Sequence, residues 1–156
     1  MIDDRLAEIC DNFYYIQDVL SLGIEKLSHV MSQCFLENFV FPFVMGSLLG
    51  DANLSERLPA STALFLLAQI FYVFKHSPVV DTICDYLFHP TTAVPLNIIS
   101  PSVFANAKDT KNKFKSIIMS IFESDNDKEI ICLLSFIYSF VVNPCKFIMF
   151  CVCLCV

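Results

Sequence analysis

Tryptophan is absent from this chain, and glycine and histidine occur only three times each. Charged residues make up just 17% of it, so little is left for a solvated surface. Each scarcity closes off a class of chemistry. With glycines only at Gly23, Gly46 and Gly50, no glycine-rich loop can wrap backbone amides around a phosphate. The sequence has no C-x-x-C pair and no H-E-x-x-H to nucleate a zinc site. It also shows no local Ser–His–Asp or Cys–His–Asp ordering. A non-enzymatic protein without cofactor is the resulting expectation. Basic residues are outnumbered ten to sixteen, a formal charge of −6, which argues against nucleic acid as a partner because phosphates need a basic face. The start, MIDDRLAEICDN, is charged and lacks the apolar run of a secretory signal, so a reducing cytosol and free thiols are expected.

What is abundant is apolar surface. Hydrophobic residues reach 56% and phenylalanine alone contributes sixteen, enough for one domain with a large core. So apolar a chain is expected to pack against further protein or against lipid. Of eight cysteines, Cys10, Cys34, Cys84 and Cys132 sit within apolar helical patterns, where they read as small buried hydrophobes. Cys145, Cys151, Cys153 and Cys155 crowd the last twelve residues.

Apolar positions recur in steps of three and four from Leu6 to Leu20, the mark of an amphipathic helix, with Gly23 as its natural stop. A second helix carries Ile24, Leu27, Val30, Met31, Cys34 and Phe35 on one face, running to about Val40, where Pro42 predicts a kink or break before a short helix over Phe43–Leu49. Pro59 suits the first turn of a helix over Ala60–Lys75, apolar nearly all round and therefore central. Ser77 and Pro78 read as cap and first turn of a helix through Leu87. Three prolines between His89 and Asn112 predict a long exposed loop. Phe114–Phe122 is a short amphipathic helix. Asn126 and Glu129 then form a capping box for a helix over Asp127–Val142, which Pro144 ends. The fold class is all-α: six to seven helices in an armadillo- or HEAT-like stack.

Asp81, Asp85 and His89 fall four apart beside Cys84, but a solvated helix face is preferred to a metal site, so no metal ligands are assigned. His76 would cap the end of the central helix, and His29 pairs with Glu25 on an exposed face. Lys108, Lys111, Lys113 and Lys115 form the one basic cluster, a candidate contact with anionic lipid or an acidic partner, or else a solvated loop. The apolar runs 130–142 and 147–156 are each too short to span a bilayer, and Lys146 lies between them. A membrane anchor built from them is the alternative to a scaffold. The alternating cysteines of the tail invite metal binding or palmitoylation, although a non-native reading of residues 144–156 is preferred.

Three blocks, Ile9–Leu48, Ala60–Phe88 and Phe114–Phe140, resemble the FPL-domain family of the C-type lectin domain family sixteen member A proteins. The fly endosomal maturation defective protein and the plant Transparent Testa nine protein belong to the same family. The signature Phe-Pro-Leu is similar to Phe41-Pro42-Phe43 here, with a departure at its last position. The resemblance divides the chain into the end of an FPL domain (1–50), a following helical segment (51–143, with the loop 89–112) and an apolar tail (144–156). It also makes the chain look like an internal fragment. It implies a helical scaffold in endosomal and lysosomal trafficking, autophagy and mitophagy, peripheral on endosomal, lysosomal or Golgi membranes. The partners it implies are a RING-type ubiquitin ligase and vesicle-tethering proteins. Recognition is expected on the lysine cluster and on Asp51–Leu58.

Overall fold

The computed structural model describes residues 2–50, 57–75, 77–88 and 110–143. Among these the chain is all helical and contains no strand. Helix α1 (Ile2–Ser21) is followed by Gly23, whose φ of 71° is a left-handed geometry that glycine adopts without a Cβ penalty. Helix α2 (Glu25–Phe35) runs without interruption into a π-helical stretch (Leu36–Met45) and a closing turn, α3 (Gly46–Leu49). Gly50, also left-handed, terminates that rod. Then come α4 (Ala60–Val73), α5 (Pro78–Phe88), α6 (Thr110–Phe122) and α7 (Asp127–Val142).

The break expected at Pro42 does not occur. In an α-helix its ring would collide with the carbonyl four residues earlier, and its missing N–H would cost a hydrogen bond. The wider π winding pairs groups five apart and relieves the collision. Burial follows the wider turn: Leu36, Val40, Phe41, Val44 and Met45 face inward, in steps of four and five. Asn38 adds a side-chain bond, its Nδ2 donating to the Cys34 carbonyl at 2.9 Å.

Helix α4 is the central post. Its Ala63, Leu64, Leu66, Leu67, Ala68, Ile70, Phe71 and Val73 are buried, as expected of a helix apolar on most sides, and its most extensive contact is with α7. Pro59 precedes its first turn instead of lying in it, and its carbonyl accepts from the Ala63 N–H. The helix stops at Val73, because Phe74 leaves helical geometry, and Lys75 is exposed beyond it.

Two phenylalanine clusters meet at α4. Phe13, Phe35, Phe39 and Phe74 join α1, α2 and the π-helical stretch to the end of α4, with Phe35 and Phe74 centroids 5.1 Å apart. Phe71, Phe88, Phe114, Phe136 and Phe140 join α4 to α5, α6 and α7, Phe71 meeting Phe136 edge-on at 5.4 Å. Such pairs add about 0.5–1.5 kcal/mol each beyond area burial.

The helix starts hold further corrections. Helix α6 begins at Thr110, which is buried, so Thr110–Asn112 are helical and not loop. Asn126 does cap α7, its Oδ1 accepting from the Lys128 N–H, but the box is not closed by Glu129. The Asn126 N–H donates to the Ser124 hydroxyl at 3.0 Å, a nearer acceptor in the preceding turn. Ser77 caps α5 as expected, its Oγ accepting from the Val79 N–H, and that helix extends one residue further, to Phe88. Among the described residues no helix is long and apolar enough to cross a membrane.

Candidate functional site

The end of α1 and the start of α2 form a shallow V whose open side is closed by the corner between α4 and α5. The resulting cleft, of about 430 Å³, is lined by Gln17, Leu20 and Ser21 from α1, Glu25, Ser28, His29 and Ser32 from α2, and Lys75, Ser77 and Pro78 from the corner. Each wall has a local cause. Gly23 lets α2 fold back, and the Ser28 hydroxyl fixes the V by donating to the Leu20 carbonyl at 3.3 Å. Ser77 and Pro78 start α5 sharply enough to leave Lys75 at the rim.

The wall of the cleft is mostly apolar, with a few polar groups of mixed charge set into it. Gln17 Nε2 donates to the Ser21 hydroxyl at 3.3 Å, while its buried Oε1 has no hydrogen-bond partner among the described residues. The Lys75 ammonium lies 5.1 Å from the centre of the Tyr72 ring, a cation–π arrangement. Of its four serines Ser32 and Ser77 are buried and Ser28 is bonded to Leu20, so exposed Glu25 and Lys75 are the charged groups at the cleft that a partner can reach. His29 thus belongs to a half-buried cleft wall, not to the exposed face expected for it. The cleft was missed because its parts lie between positions 17 and 78. The signal in the sequence is Ser28 and Ser32, one turn apart: with Phe35 they turn inward, while Ile24, Leu27 and Val30, expected on the apolar face of this helix, are exposed.

The residues singled out from sequence do not converge. Phe41 is buried against Tyr86 with ring centroids 4.8 Å apart, Pro42 is half-buried, and Phe43 stands 48% exposed, so only the last signature position is available to a partner. Lys113 and Lys115 are exposed on α6, Lys111 lies in the same helix, and Lys108 is outside the described residues. Of the other candidate surface, 51–56 is outside the described residues, while Arg57 is exposed and the Leu58 N–H is pinned to the Ser47 hydroxyl at 3.0 Å. Cys84 is in the core with Asp81 and Asp85 half-buried beside it, and His89 and His76 fall outside the described residues. Among the described residues no group of three or more His, Cys, Asp or Glu is placed to hold a metal.

The carbonyl end of α4 is met by a side chain from a distant helix. Asn143, buried at the end of α7, donates its Nδ2 to the carbonyls of Phe71 and Phe74, where α4 runs out of intrahelical donors. Cys10, Cys34, Cys84 and Cys132 are thiols. Cys34 is exposed, contrary to expectation, as are Leu27 and Val30 of the face it was expected to share. Burial, with Asp11 as a smaller cause, pushes the Cys10 thiol pKa up. Burial and then Glu129 do the same at Cys132.

Comparison with known proteins accords with this architecture. The family model described as the CLEC16A helical domain matches residues 1–122. Protein CLEC16A of Mus musculus is 27% identical over 132 residues, which is 76% of this chain and 12% of the mouse protein. Protein CLEC16A of Homo sapiens is 29% identical over 92 residues, covering 56% of this chain and 8% of the human protein. Protein TRANSPARENT TESTA 9 of Arabidopsis thaliana is 26% identical over 93 residues, 59% of this chain and 11% of the plant protein. The chain therefore spans about an eighth or less of these relatives. No solved structure matches it. With the family model covering most of its helices, the chain belongs to the CLEC16A helical-domain family.

Proposed function

We propose that this chain is a non-enzymatic helical scaffold in endosomal and lysosomal membrane trafficking and in autophagy, including mitophagy, and that it acts through protein–protein contacts. The observation that carries the reading is family membership over residues 1–122. The fold supports it, since rigid stacked helices present separate faces to separate partners. A RING-type ubiquitin ligase and vesicle-tethering proteins are the proposed partners. The place of action is the cytoplasmic surface of endosomal, lysosomal or Golgi membranes. On the chain itself the cleft between α1 and α2, exposed Phe43, and Lys113 with Lys115 are the surfaces offered.

The test expresses the chain in cells carrying a reporter for lysosomal delivery of mitochondria. Expected are altered flux, retention of the ligase with the chain, and loss of both in a Phe43→Ala/Lys113→Glu/Lys115→Glu variant that keeps its helicity. Unchanged flux together with no ligase retained would overturn the proposal. Alkaline carbonate extraction adds a second reading: a peripheral protein is released, whereas retention would favour a membrane anchor.

A further inference from the structure

Helix α7 turns one face to α4, and its other face is exposed among the described residues. Ile131, Leu134, Tyr138, Val141 and Val142 lie on that outer face, between 47% and 64% exposed. The relief of the face is specific. Leu134, Tyr138 and Val142 follow one another at four-residue steps and make a ridge. Ser135 and Ser139, also four apart, make the low row beside it. Together Ile131, Leu134, Ser135, Tyr138 and Ser139 line an open groove of about 360 Å³. The Ser135 hydroxyl is already spent, donating to the Ile131 carbonyl at 2.9 Å, so this residue brings no unmet polar group to the groove.

We infer that this face is a homodimer seam, with the Leu134–Tyr138–Val142 ridge of one copy seated in the Ser135–Ser139 groove of a second. A ridge lying beside a groove of the same pitch is self-complementary, which a two-fold interface requires. Interdigitated four-residue ridges set the two helices at about −50°. Area is sufficient: five large side chains exposed to this degree present on the order of 500 Å², the upper range of what monomers leave bare. Two such faces bury about 1,000 Å², the threshold for specific association. Charge selects the occupant. No charged residue occurs from Ile130 to Val142, so two copies meet without like-charge repulsion. At the head of the face Asp127 and Glu129 flank Lys128, so that end offers anionic lipid no net basic fringe.

Sedimentation equilibrium of the full 156-residue chain tests this. The expected result is a concentration-dependent dimer that Tyr138→Glu and Ser135→Arg each weaken at least about tenfold, with helicity retained and Lys113→Glu without effect. A benzophenone side chain at position 135 should also crosslink to the Leu134–Val142 peptide of an isotopically labelled second copy. A chain monomeric at all concentrations, or a dimer indifferent to both substitutions, overturns the inference. So does a monomer that dimerises only when shortened to end at Asn143, which would show the last thirteen residues covering the face. Flotation of a monomer with anionic phospholipid vesicles, abolished by Tyr138→Glu, overturns it in favour of lipid.

Discussion

A single amide ties the end of one helix to the end of another. Asn143 is buried, 72 positions from Phe71, and its Nδ2 answers carbonyls that α4 cannot satisfy. Asn143→Ala removes that donor and leaves buried acceptors bare, so stability should fall by about 1–3 kcal/mol in urea denaturation. Asn143→Asp replaces the donor with an acceptor-only group and should cost more. The thiols give a second residue-scale outcome. Timed maleimide labelling read by peptide mass spectrometry should modify exposed Cys34 first and buried Cys84 last among the described cysteines. Cys10 and Cys132 should lag as well, because a raised pKa keeps them protonated and the thiolate is the reactive form. Their labelling should accelerate as pH climbs past the ordinary thiol value of 9.0.

The apolar pattern made two helices legible, α1 by its single face and α4 by being apolar nearly all round, and local capping chemistry announced Ser77 and Asn126. What misled was proline read in isolation. Pro42 stops an α-helix, but a chain whose apolar residues recur at steps of four and five can pass through it in a wider coil. That spacing was visible at Leu36, Val40, Phe41 and Met45. Sites assembled from distant segments, such as the cleft between Gln17 and Pro78 or the Asn143 clamp, leave no local pattern, because tertiary packing alone brings them together. The elements also predict which phenylalanines matter. Phe71→Ala, at the junction of α4, α5, α6 and α7, should cost about 3–5 kcal/mol. Phe43→Ala, on the outer side of the π-helical stretch, should stay within about 1 kcal/mol and affect partner binding instead. Paired denaturant titrations distinguish the two.

At the scale of the whole molecule, the two phenylalanine clusters share one wall. Phe71 and Phe74, three residues apart at the end of α4, each belong to a different cluster. Neither half of the core is complete without that turn, so the chain should melt in one cooperative transition. In native-state hydrogen exchange the α4 amides should open only with global unfolding, while those at the start of α1 exchange early. Observation of α1 to α3 melting separately from α6 and α7 would contradict this. The arrangement also bears on how the sequence can change over time. A substitution in an outer helix is absorbed by its own cluster, but one at Phe71 or Phe74 must be tolerated by both at once. Drift in this chain should therefore be slowest over the few residues that close α4, however freely the surfaces on either side are remodelled.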